Sequence, residues 1–451
     1  MADIIPFKGL RYNLKKISDI AKVVTPPYDV ISQEAQEAYY LKSDYNIIRL
    51  ILGKELPEDS ESINKYTRAS GFYKEWTDTG VLKQDEKPGI YIYEQCFGLE
   101  DINEGEGRKS KCRRGFICLV KLEDFRSGKI LPHEVTYSGP KQDRLELMRR
   151  CKANFSPIFG LYDDKEMLVD KNLQDIIEHN SPILSFTDSD GIVNKVWLAQ
   201  DTTIIKNIQD RLKSYKIFIA DGHHRYETAL FFRDEMSIAI EKNSAYDYVM
   251  MMLINVEDKG LCIFPTHRLL KNITIEKDDF IKKIERYFEI KSFKFSNVSE
   301  EVKQRKILFQ EMESKDKQGL HCFGVLYKGD FTYYILTLKD NKLVDDLLVS
   351  DEMSQTKRYL DVVILQKVIF EQVLGLSELT PENIFYEARA DRTVTSVMDG
   401  KAQIAFLLNP TKIEEVKKIA QNGEKMPPKS TYFYPKLTTG VVVNPLVTEI
   451  K

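Results

Sequence analysis

The sequence predicts a mixed α/β fold of the α+β kind, and three observations carry that expectation. Ile217-Phe218-Ile219-Ala220 is a short continuous apolar run, the mark of a strand buried on both faces. A helix pattern follows through Tyr226, Ala229, Leu230 and Met236. Ile90 and Ile92 alternate with Tyr91 and Tyr93 toward Phe97, as a strand does. At roughly 150 residues per domain, a chain of 451 residues makes two or three domains. The expected division is an N-terminal α/β extension over 1–110, a core over 111–270 with an insertion near 162–200, and a C-terminal α/β domain over 271–451.

In chain order, Thr25-Pro26-Pro27-Tyr28-Asp29 comes first, where two prolines impose an extended or turn conformation, a rigid turn by its chemistry. Glu100 to Lys111 is polar and Gly-bearing, and Gly115 to Val120 is apolar, which predicts a hairpin with a long, exposed, mobile loop. Leu131 to Thr136 leads through Ser138-Gly139-Pro140 into a helix with Leu145, Met148 and Cys151 on one face. Ile204, Ile205, Ile208 and Leu212 mark an amphipathic helix, and Tyr248 to Ile254 an apolar strand. Later, a long apolar helix runs from Tyr359 to Leu374 and stops at Gly375. Ile384 to Tyr386 and Ile404 to Leu408 read as strands. Thr411-x-x-Glu414 reads as a capping box opening a helix closed by Gly423.

Lys plus Arg number 66 and Asp plus Glu 69, a net charge of -3, which argues against a nucleic-acid partner held by bulk positive charge. Hydrophobic residues are 42% and charged residues 30%, ordinary for a globular chain and wrong for a disordered one. The longest apolar run, Tyr248 to Ile254, is far short of the roughly 20 residues that span a bilayer, so no membrane partner is expected. The six Cys form no C-x-x-C and stand at no zinc-finger spacing from a His pair. No signal peptide is visible, and a cytoplasmic protein with reduced thiols is the expectation.

The junction of strand, Asp221-Gly222-His223-His224-Arg225 and helix carries the most chemistry. A helix N-terminus offers unpaired N–H groups and the positive end of the macrodipole, which together attract anions. Gly222 would let a phosphate approach the backbone, His224 and Arg225 would supply donors, and Asp221 would cap the helix or face a metal. The alternative is a turn whose Asp caps the helix while the His pair is merely solvated. Pro132-His133-Glu134 reads on residue types alone as an exposed turn, and Tyr137 stands where a zincin pattern would need a second His. Lys141-Gln142-Asp143-Arg144 reads as a helix start with its local salt bridge. His267-Arg268 reads as a solvated turn or a second anion contact, and the Tyr-rich tail as core and strand in preference to a base-stacking platform.

Ile219 to Tyr226 resembles the phosphate-binding signature of the ParB/sulfiredoxin superfamily. The likeness is closer to its ADP-dependent free-serine kinases, which carry the same Asp-Gly-His-His-Arg, a preceding Pro-His-Glu, and a Pro-Thr-x-x-Glu-Glu helix followed by Pro-Lys-Thr-Thr. Here Pro410-Thr411-Lys412-Ile413-Glu414-Glu415 and Pro428-Lys429-Ser430-Thr431 match those last two. From PPYDV through LPHEVT, DGHHRYETAL and PPKSTYFYPK, nearly the whole chain resembles the bacterial domain-of-unknown-function family numbered ten-fifteen. The resemblance implies a ParB/sulfiredoxin-like nucleotide-binding core. It also implies a nucleotide-dependent phosphotransferase acting on a small hydroxylated metabolite, a free amino acid such as serine among them, with ATP or ADP and Mg2+. A nucleotide-binding switch with little or no catalysis is the alternative. His223 stands where sulfiredoxins need a thiolate, so thiol repair is not expected. The site implied has Glu134 as general base with His133 and His223 in the catalytic group. Gly222, His224, Arg225, Arg144, Lys429, Ser430 and Thr431 would hold nucleotide or phosphate, and Asp221 the metal. Tyr28 and Asp29 would line the cleft.

Overall fold

Side chains that alternate along the strands put both faces of one large sheet into the core. The computed structural model describes residues 2–98, 110–237, 244–274, 276–349 and 352–446. Its first sheet is nine-stranded. The strands are β1 (Ile4–Ile5), β2 (Ile90–Gly98), β3 (Ser110–Lys121), β4 (Ile130–Leu131), β5 (Ile158–Tyr162), β6 (Leu184–Thr187), β7 (Val193–Ala199), β8 (Ile217–Asp221) and β9 (Tyr248–Asn255). Their order is β4-β8-β5-β9-β3-β2-β7-β6, with β1 added on β3. The β4–β8 and β5–β9 pairs are parallel and the rest antiparallel. Ile90, Ile92, Ile217 and Ile219 enter the core on one face, Tyr91, Tyr93, Phe218 and Ala220 that on the other. With both faces covered, no polar alternate is needed, which is why these strands read as unbroken apolar runs. The isoleucine face packs on the helices Leu168–His179, Thr202–Leu212 and His223–Met236.

The second sheet is antiparallel throughout. Its strands are β10 (His267–Leu270), β11 (Phe288–Lys294), β12 (Cys322–Tyr327), β13 (Thr332–Leu338), β14 (Ile384–Glu387) and β15 (Ile404–Leu407). They are ordered β11-β13-β12-β15-β10-β14. The mixed class expected from the sequence is the class observed. No helix among the described residues is long and apolar enough to cross a membrane.

Several details differ from the sequence reading. Residue 110 opens β3, which pairs with β2 from Tyr91↔Ile117 to Gly98↔Ser110, so a boundary there would cut a hairpin. The hairpin's expected mobile loop, at 100–109, lies outside the described residues. Residues 162–200 are not an excursion: they supply β6 and β7, and β7 pairs with β2 from Val193↔Cys96 to Ala199↔Ile90. The C-terminal segment does not stay with its own sheet. Thr439 bridges Thr25, Val443 bridges Leu10, Asn444 pairs with Asn154, and Leu437, Val441, Val442 and Val443 sit in the first core.

His267 and Arg268 are not a solvated turn but buried residues of β10, where burial pushes the His267 imidazole down to about 3. The expected capping box is shifted by one residue: Glu415, not Glu414, accepts from the N–H of Lys412 (2.9 Å), and Thr411 donates to the Ser430 carbonyl instead (2.8 Å). The expected long helix is present, but Leu365–Val373 is wound as a π-helix. The thiols are not all reduced: Cys96 and Cys112 face each other across β2 and β3 and are joined as a disulfide, while Cys118, Cys151, Cys262 and Cys322 are free and buried.

Candidate functional site

β4 and β8 run parallel, with Ile130 opposite Ile217 and Leu131 opposite Phe218. Both strands therefore end at the same edge of the sheet, β4 leading into Pro132-His133-Glu134 and β8 into Asp221-Gly222-His223. The carboxyl ends of parallel strands are where open α/β sheets receive ligands. Register thus joins two segments 90 positions apart.

Helix α1 (Ser138–Cys151) follows the first segment and α2 (His223–Met236) the second. Gly222 stands before α2 with φ +94°, a left-handed conformation that favours glycine. A Cβ there would lie 2.8 Å from the Arg225 guanidinium, which folds back over the turn. The absent side chain is thus accounted for by backbone conformation and Arg225. No side chain caps α2, so its first turn presents the positive end of the helix at this edge.

His133 and His223 are 1% and 3% exposed, which removes the exposed-turn reading of both segments. His133 Nδ1 lies 2.8 Å from the Ile219 carbonyl, which can only accept, so Nδ1 carries the proton. With the ring neutral, Nε2 accepts from the Thr431 hydroxyl at 3.2 Å. His223 Nε2 accepts the His133 backbone N–H at 3.3 Å, which leaves the proton of a neutral ring on Nδ1, 3.7 Å from Glu134 Oε2. Burial pushes both imidazoles below the usual histidine range, His223 furthest, with His133 beside it adding to the depression. Glu134 Oε1 accepts the Lys429 backbone N–H at 2.9 Å, and the Met426 N–H reaches the His133 carbonyl at 2.7 Å. The tail thereby closes over the carboxylate through its backbone, with Ser430 buried beneath it, donating to the Pro427 carbonyl. His224 Nε2 accepts the Tyr137 N–H at 2.9 Å, and burial lowers its pKa.

Asp221 is held on both oxygens, by Lys436 Nζ at 2.6 Å and by Arg225 at 2.9 Å. Burial works to raise its pKa, yet Lys436 and Arg225 keep it far below the usual carboxylate range. Burial pulls the Lys436 ammonium down, and the Asp221 and Asp29 carboxylates more than offset this. Arg225 also donates to the Pro157 carbonyl at 2.6 Å. Gln95 and Arg113 donate to the carbonyls of Lys436 (3.1 Å) and Pro435 (2.6 Å), fixing the segment that presents the lysine. Lys436 was not singled out from sequence. The signal was there: it is the one charged residue between Tyr432 and Leu446, and a lone charge in an apolar stretch needs a buried partner.

The Thr25–Asp29 segment reaches the same edge. The Arg144 guanidinium lies 4.0 Å over the Tyr28 ring, donates to the Ile51 carbonyl at 2.7 Å and pairs with Asp143. Tyr28 and Arg144 line one small cavity with Arg225, and the Asp29 carboxylate acts electrostatically on His224 and Lys436. Asp29 is exposed and forms no ion pair among the described residues. The structure thus brings Glu134, His133, His223, His224, Arg225, Asp221, Gly222, Thr431 and Asp29 to one edge. Tyr28 and Arg144 flank it, and Lys429 contributes its N–H there. The described arrangement is an uncapped helix N-terminus, a half-buried carboxylate and two neutral histidines.

A mixed α+β chain with its polar cluster at the ends of two parallel strands is the class that this fold and site define. The chain belongs to the family described as "Protein of unknown function (DUF1015)", which it matches over residues 4–363. No curated protein sequence matches it. Among solved structures it is similar to a conserved hypothetical protein from Pyrococcus furiosus, at 13% identity and a TM-score of 0.32, covering 71% of this chain and 92% of that one. It is similar to a free serine kinase in complex with AMP, at 11% identity and a TM-score of 0.32, covering 74% and 90%. It is also similar to SbnI with a C-terminal truncation from Staphylococcus aureus, at 9% identity and a TM-score of 0.34, covering 73% and 87%.

Proposed function

We propose that the protein is a nucleotide-dependent phosphotransferase acting on a hydroxyl group of a small metabolite, a free amino acid such as serine being one acceptor. The observation that carries this reading is the meeting of Glu134 with the uncapped start of α2, where His223 Nδ1 lies 3.7 Å from Glu134 Oε2. Phosphoryl transfer needs chiefly positioning and charge neutralisation. The first-turn N–H groups of α2, with His224, would hold the terminal phosphates of ATP or ADP. Glu134 would take the proton of the acceptor hydroxyl as its oxygen bonds to the terminal phosphorus; the bond from that phosphorus to the bridging oxygen breaks, and the shortened nucleotide leaves. His223, kept neutral by burial, does not compete with Glu134 for the proton. A Mg2+ ion is usually held by one or two carboxylates plus phosphate oxygens. Both Asp221 oxygens are engaged by cations, so Asp29 is the carboxylate that fits this role. The ion would supply charge neutralisation on the phosphates.

The test is incubation of the protein with Mg2+, ATP or ADP and a panel of small alcohols that includes serine, with phosphoesters read by mass spectrometry. Glu134→Gln is expected to lower turnover about 10²–10⁴-fold, the range of a general base, while calorimetric nucleotide affinity stays unchanged. A fully active variant would remove Glu134 from the mechanism. Nucleotide binding without product across the panel would favour the switch.

A further inference from the structure

A cavity of about 420 Å³ is lined in part by Lys436, the residue that also holds Asp221. That volume is within the range of roughly 300–1,000 Å³ usual for small-molecule sites. We propose that this cavity receives the nucleoside half of the nucleotide whose phosphates lie at the start of α2, an inference that rests on the reading above.

Two connections join the cavity to the phosphate edge. Lys436 donates to Asp221 at the edge while its ammonium sits 4.5 Å from the centre of the Tyr432 ring, a wall of the cavity. The proline-containing segment is shared in the same way: Tyr28 and Asp29 face Arg225, His224 and Lys436, and Pro26, Val30 and Ile31 line the cavity. A ligand reaching both regions is anionic at one end and apolar at the other. The apolar end meets Val24, Ile31 and Ile192 with the rings of Tyr39, Tyr432 and Tyr434. Aromatic walls of this kind take the flat face of a base without regard to its edge. The exposed polar groups of the lining, Ser189 and Asp190, are donors and acceptors of the sort that sugar hydroxyls satisfy.

The experiment compares the binding of inorganic tripolyphosphate, ATP and ADP by calorimetry in the full chain. Ala35 lines the cavity from helix Gln33–Lys42, and Ala35→Trp fills it; Tyr39→Ala removes one ring instead. Thermal unfolding of both variants checks that they are folded. The expected result is that ATP or ADP binds the unaltered protein more tightly than tripolyphosphate. Each folded variant is expected to weaken nucleotide binding about ten-fold, the worth of one stacking contact, without changing tripolyphosphate affinity. Unchanged nucleotide affinity in both variants would overturn the inference and leave the phosphate reading standing. A parallel loss of tripolyphosphate in both would also overturn it, because the cavity would not then be a separate subsite. If the unaltered protein binds neither tripolyphosphate nor nucleotide, the phosphate reading itself fails and takes this inference with it.

Discussion

At the scale of single residues, Lys436 has the sharpest energetic role at the site. Asp221 and Lys436 are 17% and 12% exposed, so little water reaches either charge. Asp221 keeps its negative charge because Lys436 and Arg225 both lean on it. Removing one partner of such a pair leaves a desolvated charge behind, which is costlier than the pair is beneficial. Lys436→Met is therefore expected to destabilise the protein by about 3 kcal/mol, read from the urea midpoint. Asp221→Asn in the same chain should restore part of the loss, because it removes the stranded charge. A midpoint unchanged by Lys436→Met would show that Arg225 alone satisfies Asp221.

At the scale of elements, the turn from β8 into α2 is the strained joint. Gly222 has φ +94°, and any Cβ would crowd the Arg225 guanidinium at 2.8 Å. Gly222→Ala carries both penalties, and about 2 kcal/mol is expected, seen as a lower melting temperature. This joint was legible in the sequence, since four apolar residues before Asp-Gly and a helix pattern after it fix strand, turn and helix by local chemistry. The neighbouring strand was not legible. Ile130 and Leu131 are too short a pair to show a period, and their parallel pairing with β8 is a tertiary fact. The same limit explains His267-Arg268, which looks like a polar turn until Phe406 and Tyr386 on two flanking strands bury it. It also explains Thr411, whose hydroxyl finds the Ser430 carbonyl and leaves the helix start to Lys412 and Glu415. The resemblance to known motifs picked out Glu134 as a site residue, but Lys436 has no motif and becomes visible through its partner.

At the scale of the whole molecule, the tail and the buried histidines make the two sheets one system. The tail leaves α3 (Ile413–Gln421), passes Glu134 at Lys429 and returns to the first core, where Val441, Val442 and Val443 are buried beside residues of the N-terminal segment. A chain ended at residue 425 would expose that apolar surface, so the first sheet should lose cooperative unfolding by circular dichroism. The histidines set the acid limit. His133 and His223 at the site and His267 in β10 are all held neutral by burial, with folded pKa values below the ordinary ~6.5. Below that value the unfolded chain takes up protons that the folded chain refuses, so the unfolded state gains as pH falls. Stability is therefore fully present above about pH 6.5 and declines beneath it, by up to ~1.4 kcal/mol per pH unit for each histidine until its own folded pKa is reached. The urea midpoint should hold from pH 7.5 to about pH 6.5 and fall from there to pH 5. His267→Gln should make that slope shallower, since one of the contributing groups is gone. A level midpoint across this range would mean that these histidines take up protons in the folded protein as readily as in the unfolded chain, and His223 would then compete with Glu134 for the proton.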